Sequence, residues 1–318
     1  MKYKVLNTSR SFGKVSDRAI RFLEKNNCQF IETSKAKPLK EKELIEELKG
    51  VDGLIVGIDK VTARVIEAAD RLKVISKHGV GVDNIDIKKA INKGIVVTNT
   101  PSANVNAVAE LTIGLIFSLI RGIVRADKAL RERKWERVIG EEIDGSIIGI
   151  IGLGNIGKAV AKKAKGLGMK VLAYDVCQDE DFARKFEIKY VPLEELLQKS
   201  NIISLHLPLT SQTRHILNRE NLKLISPNCY LINTARGELI DEEALFEMLQ
   251  KGKIKGAALD VFGKEPPFES PFLFLDNVVV TPHIGAYTQK AIEKMDMMAA
   301  ENVVYVLQGK EPISKVVV

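Results

Sequence analysis

The chain has 318 residues, about the length of two ordinary domains, and 45% of them are hydrophobic and 28% charged. This composition excludes a mostly disordered chain. The formal net charge of +7 arises from basic residues interleaved with acidic ones, as in Lys40–Glu43. It therefore indicates a solvated surface or a small anionic ligand rather than a patch that binds nucleic acid.

The cysteines, histidines and apolar runs exclude three further classes of protein. Cys28, Cys177 and Cys229 lie far apart without a CxxC pair, which argues against a disulfide framework and for a reducing compartment. The four histidines lack metal-ligand spacing, so no metal site is predicted. The N-terminus shows no apolar signal-peptide core, and the apolar run 111–120 is shorter than the ~20 residues that span a bilayer. We therefore expect a cytoplasmic protein.

The first hundred residues alternate short apolar runs with amphipathic segments. The predicted strands are 3–6, 29–32, 53–56, 74–76 and 95–98. The predicted helices are 16–25, 40–48, 62–69 and 86–92. Alternation of strands and helices at this spacing is typical of a parallel sheet with crossover helices.

A second alternating series follows the break at Pro101. A helix over about 105–121 is apolar on most faces, which predicts burial in a core or a subunit interface, and a polar helix is predicted around 128–137. The strands predicted after it are 147–151, 170–174, 202–206, 230–233, 256–260 and 278–281. The final helix, 288–308, is expected to return to the first domain. The predicted domains are therefore 1–100 with 287–318, which binds substrate, and 101–286, which binds the cofactor.

A glycine motif opens the second series. Gly152, Gly154 and Gly157 fit GxGxxG between a predicted strand and a predicted helix. There they supply a tight turn, close approach of the backbone to a pyrophosphate, and close helix–strand packing. Asp175 ends the next strand, 18 residues after Gly157, where a carboxylate can accept both ribose hydroxyls and repel a 2′-phosphate. These features predict a site for NAD rather than NADP.

Polar side chains follow three of the later strands. Arg236, the acids Asp260 and Glu265, and His283 come after successive strands and so meet at one edge of a parallel sheet. Oxidation of an alcohol beside a nicotinamide needs a proton acceptor such as histidine, and a carboxylate holds the imidazole in one tautomer. An arginine binds a planar carboxylate through two charge-assisted hydrogen bonds.

Two other histidines lie near these expected sites. His78 precedes Gly79, Val80 and Gly81, a loop whose amides can bind a carboxylate. His206 ends a strand before Pro208 and is expected to approach the cofactor, whereas His215 is interpreted as structural.

The sequence resembles the D-isomer-specific 2-hydroxyacid dehydrogenases, especially their phosphoglycerate dehydrogenase branch, over nearly its whole length. The motifs that carry the resemblance are, in the family's order, HGVGVDNID at 78–86, NTP at 99–101, AELT at 109–112, KWER at 134–137, GLGNIG at 152–157, HLPLT at 206–210, NTARG at 233–237, the segment 259–267 and PHIGA at 282–286.

The resemblance implies site residues. It makes Arg236, Glu265 and His283 the catalytic set, with His283 the proton donor in keto-acid reduction. The further positions it assigns to NAD contact are Asn155, Ile156, Leu207, Pro208, Thr234, Asp260, Gly285 and Ala286. It places Gly79, Val80, Gly81 and Asn104 against the substrate carboxylate.

The resemblance also implies a fold and an assembly. The expected fold is α/β, with two doubly wound parallel-sheet domains, Rossmann-like and flavodoxin-like, and an interdomain cleft. The expected partners are NAD, a small anionic 2-hydroxy or 2-keto acid, and a second copy of the chain paired through the nucleotide-binding domains as a homodimer or tetramer.

The substrate stays open at this stage. Phosphoglycerate enzymes of the family often carry a basic residue after the third strand, but here Gly57 and Ile58 follow it, and only Lys60 and Lys77 offer nearby charge. We expect a short-form D-3-phosphoglycerate dehydrogenase without a regulatory C-terminal domain. The alternatives are a hydroxypyruvate or glyoxylate reductase and, in another class, an NAD-sensing corepressor.

Overall fold

The structure, a computed structural model, describes residues 3–35 and 38–317. Their strands are β1 (Tyr3–Asn7), β2 (Cys28–Glu32), β3 (Gly53–Val56), β4 (Val74–Lys77), β5 (Val96–Thr98), β6 (Ile147–Ile151), β7 (Lys170–Tyr174), β8 (Ile188–Tyr190), β9 (Ile202–Leu205), β10 (Tyr230–Asn233), β11 (Gly256–Leu259) and β12 (Val278–Val280). Their α-helices are α1 (Arg18–Lys25), α2 (Glu41–Glu47), α3 (Ala63–Ala68), α4 (Ile87–Asn92), α5 (Val105–Ile120), α6 (Ile123–Arg131), α7 (Asn155–Gly166), α8 (Glu180–Phe186), α9 (Leu193–Lys199), α10 (Arg219–Lys223), α11 (Glu242–Gln250) and α12 (Gln289–Leu307).

The chain divides into two compact units, each built on its own sheet. The first unit contains the residues up to Asn104 together with those from Ala286 onward, and the second is Val105–Gly285. The first sheet has the strand order β2-β1-β3-β4-β5, and the second has β12-β11-β10-β9-β6-β7-β8. Every strand pair is parallel. The predicted α/β fold with two parallel-sheet domains is confirmed.

Both faces of each sheet are covered by helices, which explains why the strands read as nearly continuous apolar runs. In the second sheet Leu231 belongs to one buried cluster and its neighbour Ile232 to the other. In the first sheet Val5 and Leu6 divide in the same way. Because successive side chains of a strand point to opposite faces, each strand contributes to two cores.

The C-terminal helix α12 packs on the first sheet. Thr288 caps it by accepting a hydrogen bond from the amide of Ala291 at 3.2 Å. Its buried residues Ala299, Ala300 and Val303 join the cluster that contains Val5 of β1. The first unit is therefore assembled from both ends of the chain.

The observed elements depart from the predicted ones in the second unit. Strand β8 and helices α8 to α11 were not predicted, because these segments are short and their apolar residues do not repeat over a long window. Helix α6 covers Ile123–Arg131 rather than 128–137, because Arg133 adopts a left-handed conformation with φ 61° and ends the helix.

None of the helices in the described residues is by itself long and apolar enough to cross a membrane. By length and composition alone, α5 and α6 together pass that test, with a bend of 62° at the break between them.

Candidate active site

The glycine motif forms the turn between β6 and α7. Gly152 has φ +96°, and a Cβ there would lie 2.8 Å from the carbonyl carbon of His206, so the turn packs directly against the chain that leaves β9. A Cβ on Gly157 would overlap the carbonyl oxygen of Gly152. By contrast, a Cβ on Gly154 would meet no described atom within 4 Å. Two glycines therefore close the turn, and the third leaves space before the N-terminus of α7.

Asp175 follows β7 with its carboxylate fixed by backbone amides. Oδ2 accepts from the amide of Leu153 at 2.7 Å, inside the glycine turn, and Oδ1 accepts from Cys177 at 2.9 Å. The carboxylate is thus tied to the same turn as the glycines.

The chain leaves β6 and β9 side by side at the point where the strand order of the second sheet reverses. Ligands of doubly wound sheets bind at such a point, beyond the carboxyl ends of the strands. Asn155 and Ile156 begin α7 here, and Leu207 and Pro208 follow β9. The Nε2 of His206 lies 2.9 Å from the hydroxyl of Ser204, while its buried Nδ1 has no hydrogen-bond partner in the described chain. Burial lowers the pKa of His206 to about 3, so this ring is neutral.

These residues fit a dinucleotide. The space in front of Gly154 adjoins the N-terminus of a 12-residue helix, whose dipole attracts phosphates. The fixed carboxylate of Asp175 suits the hydroxyls of a ribose. The buried Nδ1 of His206, which has no hydrogen-bond partner in the described residues, suits a polar group of the dinucleotide.

His283 lies on a strained turn after β12. Its φ of 53° is in the left-handed region, where a residue other than glycine has a conformational strain on the order of 1–3 kcal/mol. The turn is held because the amide of His283 donates to the carbonyl of Asp260 at 2.8 Å. The surrounding contacts therefore fix where this imidazole stands.

Asp260 holds the same turn through its side chain. Oδ1 accepts from the Thr281 hydroxyl at 2.6 Å and from the amide of Ile284 at 2.8 Å, and Oδ2 accepts from the amide of Gly285 at 2.9 Å. Burial raises the pKa of Asp260, and these hydrogen bonds together with the charge of His283 only partly offset it. The resemblance implies that Asp260 contacts the cofactor. Within the second unit, its carboxylate holds the turn that carries His283.

Glu265 pairs with His283. Its oxygens lie 3.0 and 2.8 Å from Nδ1 of the imidazole, and Oε1 also accepts from the amide of Phe262 at 3.2 Å. Burial acts to raise the pKa of Glu265, but the hydrogen bond and charge of His283, with the charge of Arg236, leave it lowered. The carboxylate is therefore ionised at neutral pH, and Nδ1 is occupied, which leaves Nε2 of His283 for another partner.

Arg236 follows β10 in extended backbone. Its carbonyl accepts from the side chain of Asn233 at 2.8 Å, and its Nη1 donates to the carbonyl of Ala235 at 2.7 Å. Beside it, a Cβ on Gly237 would overlap the backbone of Phe262. The loops that carry Arg236 and Glu265 therefore pack backbone to backbone, and only glycine fits between them.

Thr234 and Gly285 complete the second unit's share of the expected cofactor residues. The Thr234 hydroxyl lies 3.0 Å from that of Thr112 on α5, and both side chains are buried. Gly285 is buried beside Asp260, whereas Ala286, also expected at the cofactor, belongs to the first unit.

The first unit places the predicted substrate loop after β4. The amide of Gly79 donates to the carbonyl of Lys77 and the hydroxyl of Thr100, each at 3.0 Å, so it serves the loop itself. The amides of Val80 and Gly81 donate to no group in the described chain. The buried Oδ1 of Asn104 also lacks a hydrogen-bond partner there. These three groups remain for a ligand.

His78 lies under this loop rather than on its surface. Its Nε2 is 2.6 Å from Oδ1 of Asp296 on α12, and its Nδ1 is 3.1 Å from the hydroxyl of Ser9. Both ring nitrogens are engaged inside the first unit. The structure thus separates His78 from the neighbouring amides with which the sequence grouped it.

Some residues of the site had no signal in the sequence. Glu242 accepts from the amide of Gly263 at 2.8 Å and so supports the Glu265 loop from α11. Burial raises the pKa of Glu242. The sequence gives no signal for Asp296 either, because its partner His78 is 218 residues away along the chain. Among the described residues no three His, Cys, Asp or Glu side chains are grouped as metal ligands.

Comparisons with known proteins agree with this architecture. A sequence model described as "D-isomer specific 2-hydroxyacid dehydrogenase, NAD binding domain" matches residues 113–285. The chain is 45% identical over 283 residues to a D-3-phosphoglycerate dehydrogenase of Methanocaldococcus jannaschii, covering 88% of this chain but only 54% of that protein. It is 46% identical over 271 residues to a hydroxypyruvate reductase of Thermotoga maritima, covering 83% and 88% of the two chains.

A solved structure adds a match along the whole chain. The D-lactate dehydrogenase of Aquifex aeolicus, complexed with NAD and lactic acid, has a TM-score of 0.87 and 32% identity, and 99% of each chain is covered. The resemblance drawn from the motifs is confirmed. The chain therefore belongs to the D-isomer-specific 2-hydroxyacid dehydrogenases, a family of NAD-dependent oxidoreductases that act on the CH–OH group of small 2-hydroxy acids.

Proposed function

We propose that this chain interconverts a D-2-hydroxy acid and its 2-keto acid with NAD. The observation that carries the proposal is the pair of His283 and Glu265, 2.8 Å apart, on a turn that neighbouring hydrogen bonds fix, with Arg236 on an adjacent loop. His283 and Glu265 supply proton transfer at the C2 oxygen, and Arg236 supplies a cation for the substrate carboxylate, as this interconversion requires.

NAD would be held by the second unit. The pyrophosphate would bind at the Gly152–Gly157 turn and the N-terminus of α7, and Asp175 would accept the ribose hydroxyls and disfavour NADP. Leu207, Thr234 and Asp260 would lie around the rest of the molecule. When bound, NAD supplies the acceptor or donor of the hydride.

His283 would move the proton at the oxygen on C2 of the substrate. Glu265 holds the ring with Nδ1 turned to its carboxylate, so Nε2 takes the hydroxyl proton in oxidation and returns it in reduction. The ionised Glu265 stabilises the imidazolium formed in oxidation. Such a pair requires no metal for the proton transfer.

Arg236 of the second unit would bind the substrate carboxylate. The planar guanidinium matches two carboxylate oxygens, and a single ammonium cannot replace it. In the first unit the amides of Val80 and Gly81 are donors that suit a carboxylate, whereas Oδ1 of Asn104 is an acceptor and suits a hydroxyl group.

D-3-phosphoglycerate is the proposed substrate, and hydroxypyruvate or glyoxylate is the second candidate. One observation favours the second. Lys77, one of the two cations near the loop after β3, is buried, and its ammonium donates to the carbonyl of Gly57 and to Oδ1 of Asn84. It is thus engaged within the unit rather than directed at a phosphate.

We also propose a homodimer formed through the second unit and a cytoplasmic location. Helix α6 and the segment after it expose large apolar residues, with Ile139 98% and Trp135 78% exposed. A second copy of the chain would cover them. The cytoplasmic location is supported by Cys28, Cys177 and Cys229, which form no disulfide.

A panel assay tests the activity. The purified chain would be incubated with NADH or NADPH and each of several 2-keto acids, and absorbance would be followed at 340 nm. We expect turnover of 3-phosphohydroxypyruvate, hydroxypyruvate or glyoxylate with a preference for NADH. Binding of NADH without turnover of any acid would contradict the proposal and favour a binding protein. A preference for NADPH would contradict the role of Asp175.

A further inference from the structure

The segment after β5 holds the loop after β4 by hydrogen bonds. The amide of Thr100 donates to the carbonyl of Gly79 at 2.9 Å. Nδ2 of Asn99 donates to the carbonyl of Val80, also at 2.9 Å. Both donors belong to the NTP motif at 99–101, to which the proposed function assigns no role.

These two hydrogen bonds set the direction of two amides of the loop. In a planar trans peptide group the C=O and the N–H point in opposite directions. The carbonyl of Gly79 shares its peptide group with the amide of Val80, and the carbonyl of Val80 shares its group with the amide of Gly81. Because both carbonyls are bound to the segment after β5, both amides point away from that segment. They donate to no group in the described chain and so are available to a ligand.

Asn99 is itself held by the C-terminal segment. Its Oδ1 accepts from the hydroxyl of Ser314 at 2.6 Å, and its backbone carbonyl accepts from Nδ2 of Asn302 on α12 at 3.1 Å. Oδ1 of Asn302 in turn accepts from the amide of Ser314 at 3.2 Å. A flipped Asn99 amide would place its oxygen against the carbonyl of Val80, an acceptor against an acceptor. The Ser314 hydroxyl therefore favours the orientation in which Asn99 can donate to the loop.

The C-terminal segment is anchored on the edge of the first sheet. Strand β5 is the last in its order, and Lys315 forms an antiparallel bridge with Thr98. The amide of Val316 donates to the carbonyl of Val97 at 2.9 Å, and the side chain of Val316 packs on the buried cluster that contains Val97. This anchoring fixes the position of Ser314.

We propose that Asn99 and Ser314 are positioning residues for a carboxylate of the substrate. Ser314 orients the side chain of Asn99, and Asn99 binds the carbonyl of Val80 and so directs the amide of Gly81 at the carboxylate. Each acts through another group, since Ser314 is bound to Asn99 and Asn99 is bound to the loop. This inference rests on the proposed function and adds to it a contribution from the C-terminal segment.

The test measures kcat and KM of the full-length chain with NADH and hydroxypyruvate, 3-phosphohydroxypyruvate or glyoxylate. In Asn99→Ala we expect KM to rise about 2- to 10-fold while kcat and NADH affinity stay unchanged, as loss of one neutral hydrogen bond in substrate binding predicts. The factor should be the same for each acid, because all three carry the carboxylate. Ser314→Ala should raise KM less, and Ser314→Thr, which keeps the hydroxyl, should restore the wild-type value.

A double variant tests whether Ser314 acts through Asn99. If it does, Ser314→Ala should add nothing to KM in the Asn99→Ala background. Factors that multiply in the double variant would show that the two residues act independently and would overturn the proposed order. The control is Asn92→Ala, which removes an exposed asparagine at the end of α4 in the same unit and should leave KM unchanged. Should Asn99→Ala fail to fold, Ser314→Ala and Ser314→Thr give the same comparison with Asn99 intact.

The outcomes separate this inference from the proposed function. If the wild type turns over one of the acids and Asn99→Ala has the same KM, the inference alone is wrong. A loss of kcat and NADH affinity at unchanged KM would indicate a general structural defect and would also contradict it. If the wild type turns over none of the acids, the proposed function is wrong, and calorimetry with hydroxypyruvate decides the inference. Weaker binding by Asn99→Ala than by the wild type would support it, and equal or absent binding would refute it.

Discussion

The two units each contain a histidine paired with a carboxylate at the carboxyl edge of a parallel sheet. In the second unit His283 and Glu265 are 2.8 Å apart, with side chains 38% and 22% exposed. In the first unit His78 and Asp296 are 2.6 Å apart, with side chains 2% and 3% exposed. Both pairs join an imidazole to a carboxylate, but the carboxylate lies at Nδ1 of His283 and at Nε2 of His78, and only the His78 pair is buried.

The backbone decides that difference. His283 lies on a turn and has a φ of 53°. Asp260 fixes this turn by accepting from the amides of Ile284 and Gly285. His78 continues directly from β4 and is covered by the β1 loop, with the ring of Phe12 5.8 Å away edge to face. We infer that the first arrangement presents a proton donor, whereas the second joins two loops and α12.

The largest expected effect is on proton transfer. His283→Asn should lower kcat/KM about 10²- to 10⁴-fold, because it removes the proposed general acid and base. NAD affinity, measured by fluorescence titration, should change little, since the asparagine leaves the glycine turn intact. The matched variant His78→Asn should lose stability rather than the proton-transfer step. A normal rate in His283→Asn would refute the contrast between the two pairs.

The second effect is on stability. Asp296→Ala should destabilise the first unit by about 1–3 kcal/mol for each buried donor that it leaves unpaired, because it removes the partner of His78 and of the amide of Gly13. Urea unfolding measures this. Glu265→Ala, at the half-exposed pair, should cost clearly less. Equal losses in the two variants would show that exposure does not distinguish the pairs.

The smallest effect is on the pH dependence of stability. The pKa of Glu265 is lowered in the folded chain, so its ionised form stabilises the fold above the unfolded carboxyl value of about 4.3. This contribution is lost as the pH falls through the folded pKa. Glu265→Gln removes it, so the difference in unfolding free energy between wild type and variant should be full above pH 4.3 and narrow as the pH falls below that value. A difference that stays constant would contradict the ionised pair.

The sequence predicted the fold well where patterns were long or local. The strands and helices of the first unit and the glycine turn follow from apolar periodicity and from turn chemistry within a few residues. Short elements such as β8 were missed, because three residues at a sheet edge carry no distinctive pattern.

For the candidate site, the sequence predicted which residues follow each strand and that a carboxylate holds the imidazole, but it did not predict their other side-chain contacts. The roles of Arg236, Glu265 and His283 remain predictions, although the structure brings Glu265 and His283 together. Asp260 was expected at the cofactor, and its hydrogen bonds to Thr281, Ile284 and Gly285 could not be read from spacing.

The sequence by itself determined the two parallel-sheet domains, the dinucleotide turn and the family, because periodicity, glycine spacing and motif order are local properties of the chain. Only the tertiary structure decided which histidine is accessible and which is buried. That depends on partners far apart in sequence, as with His78 and Asp296 at a separation of 218 residues. Burial is a property of the packed fold, and no local pattern records it.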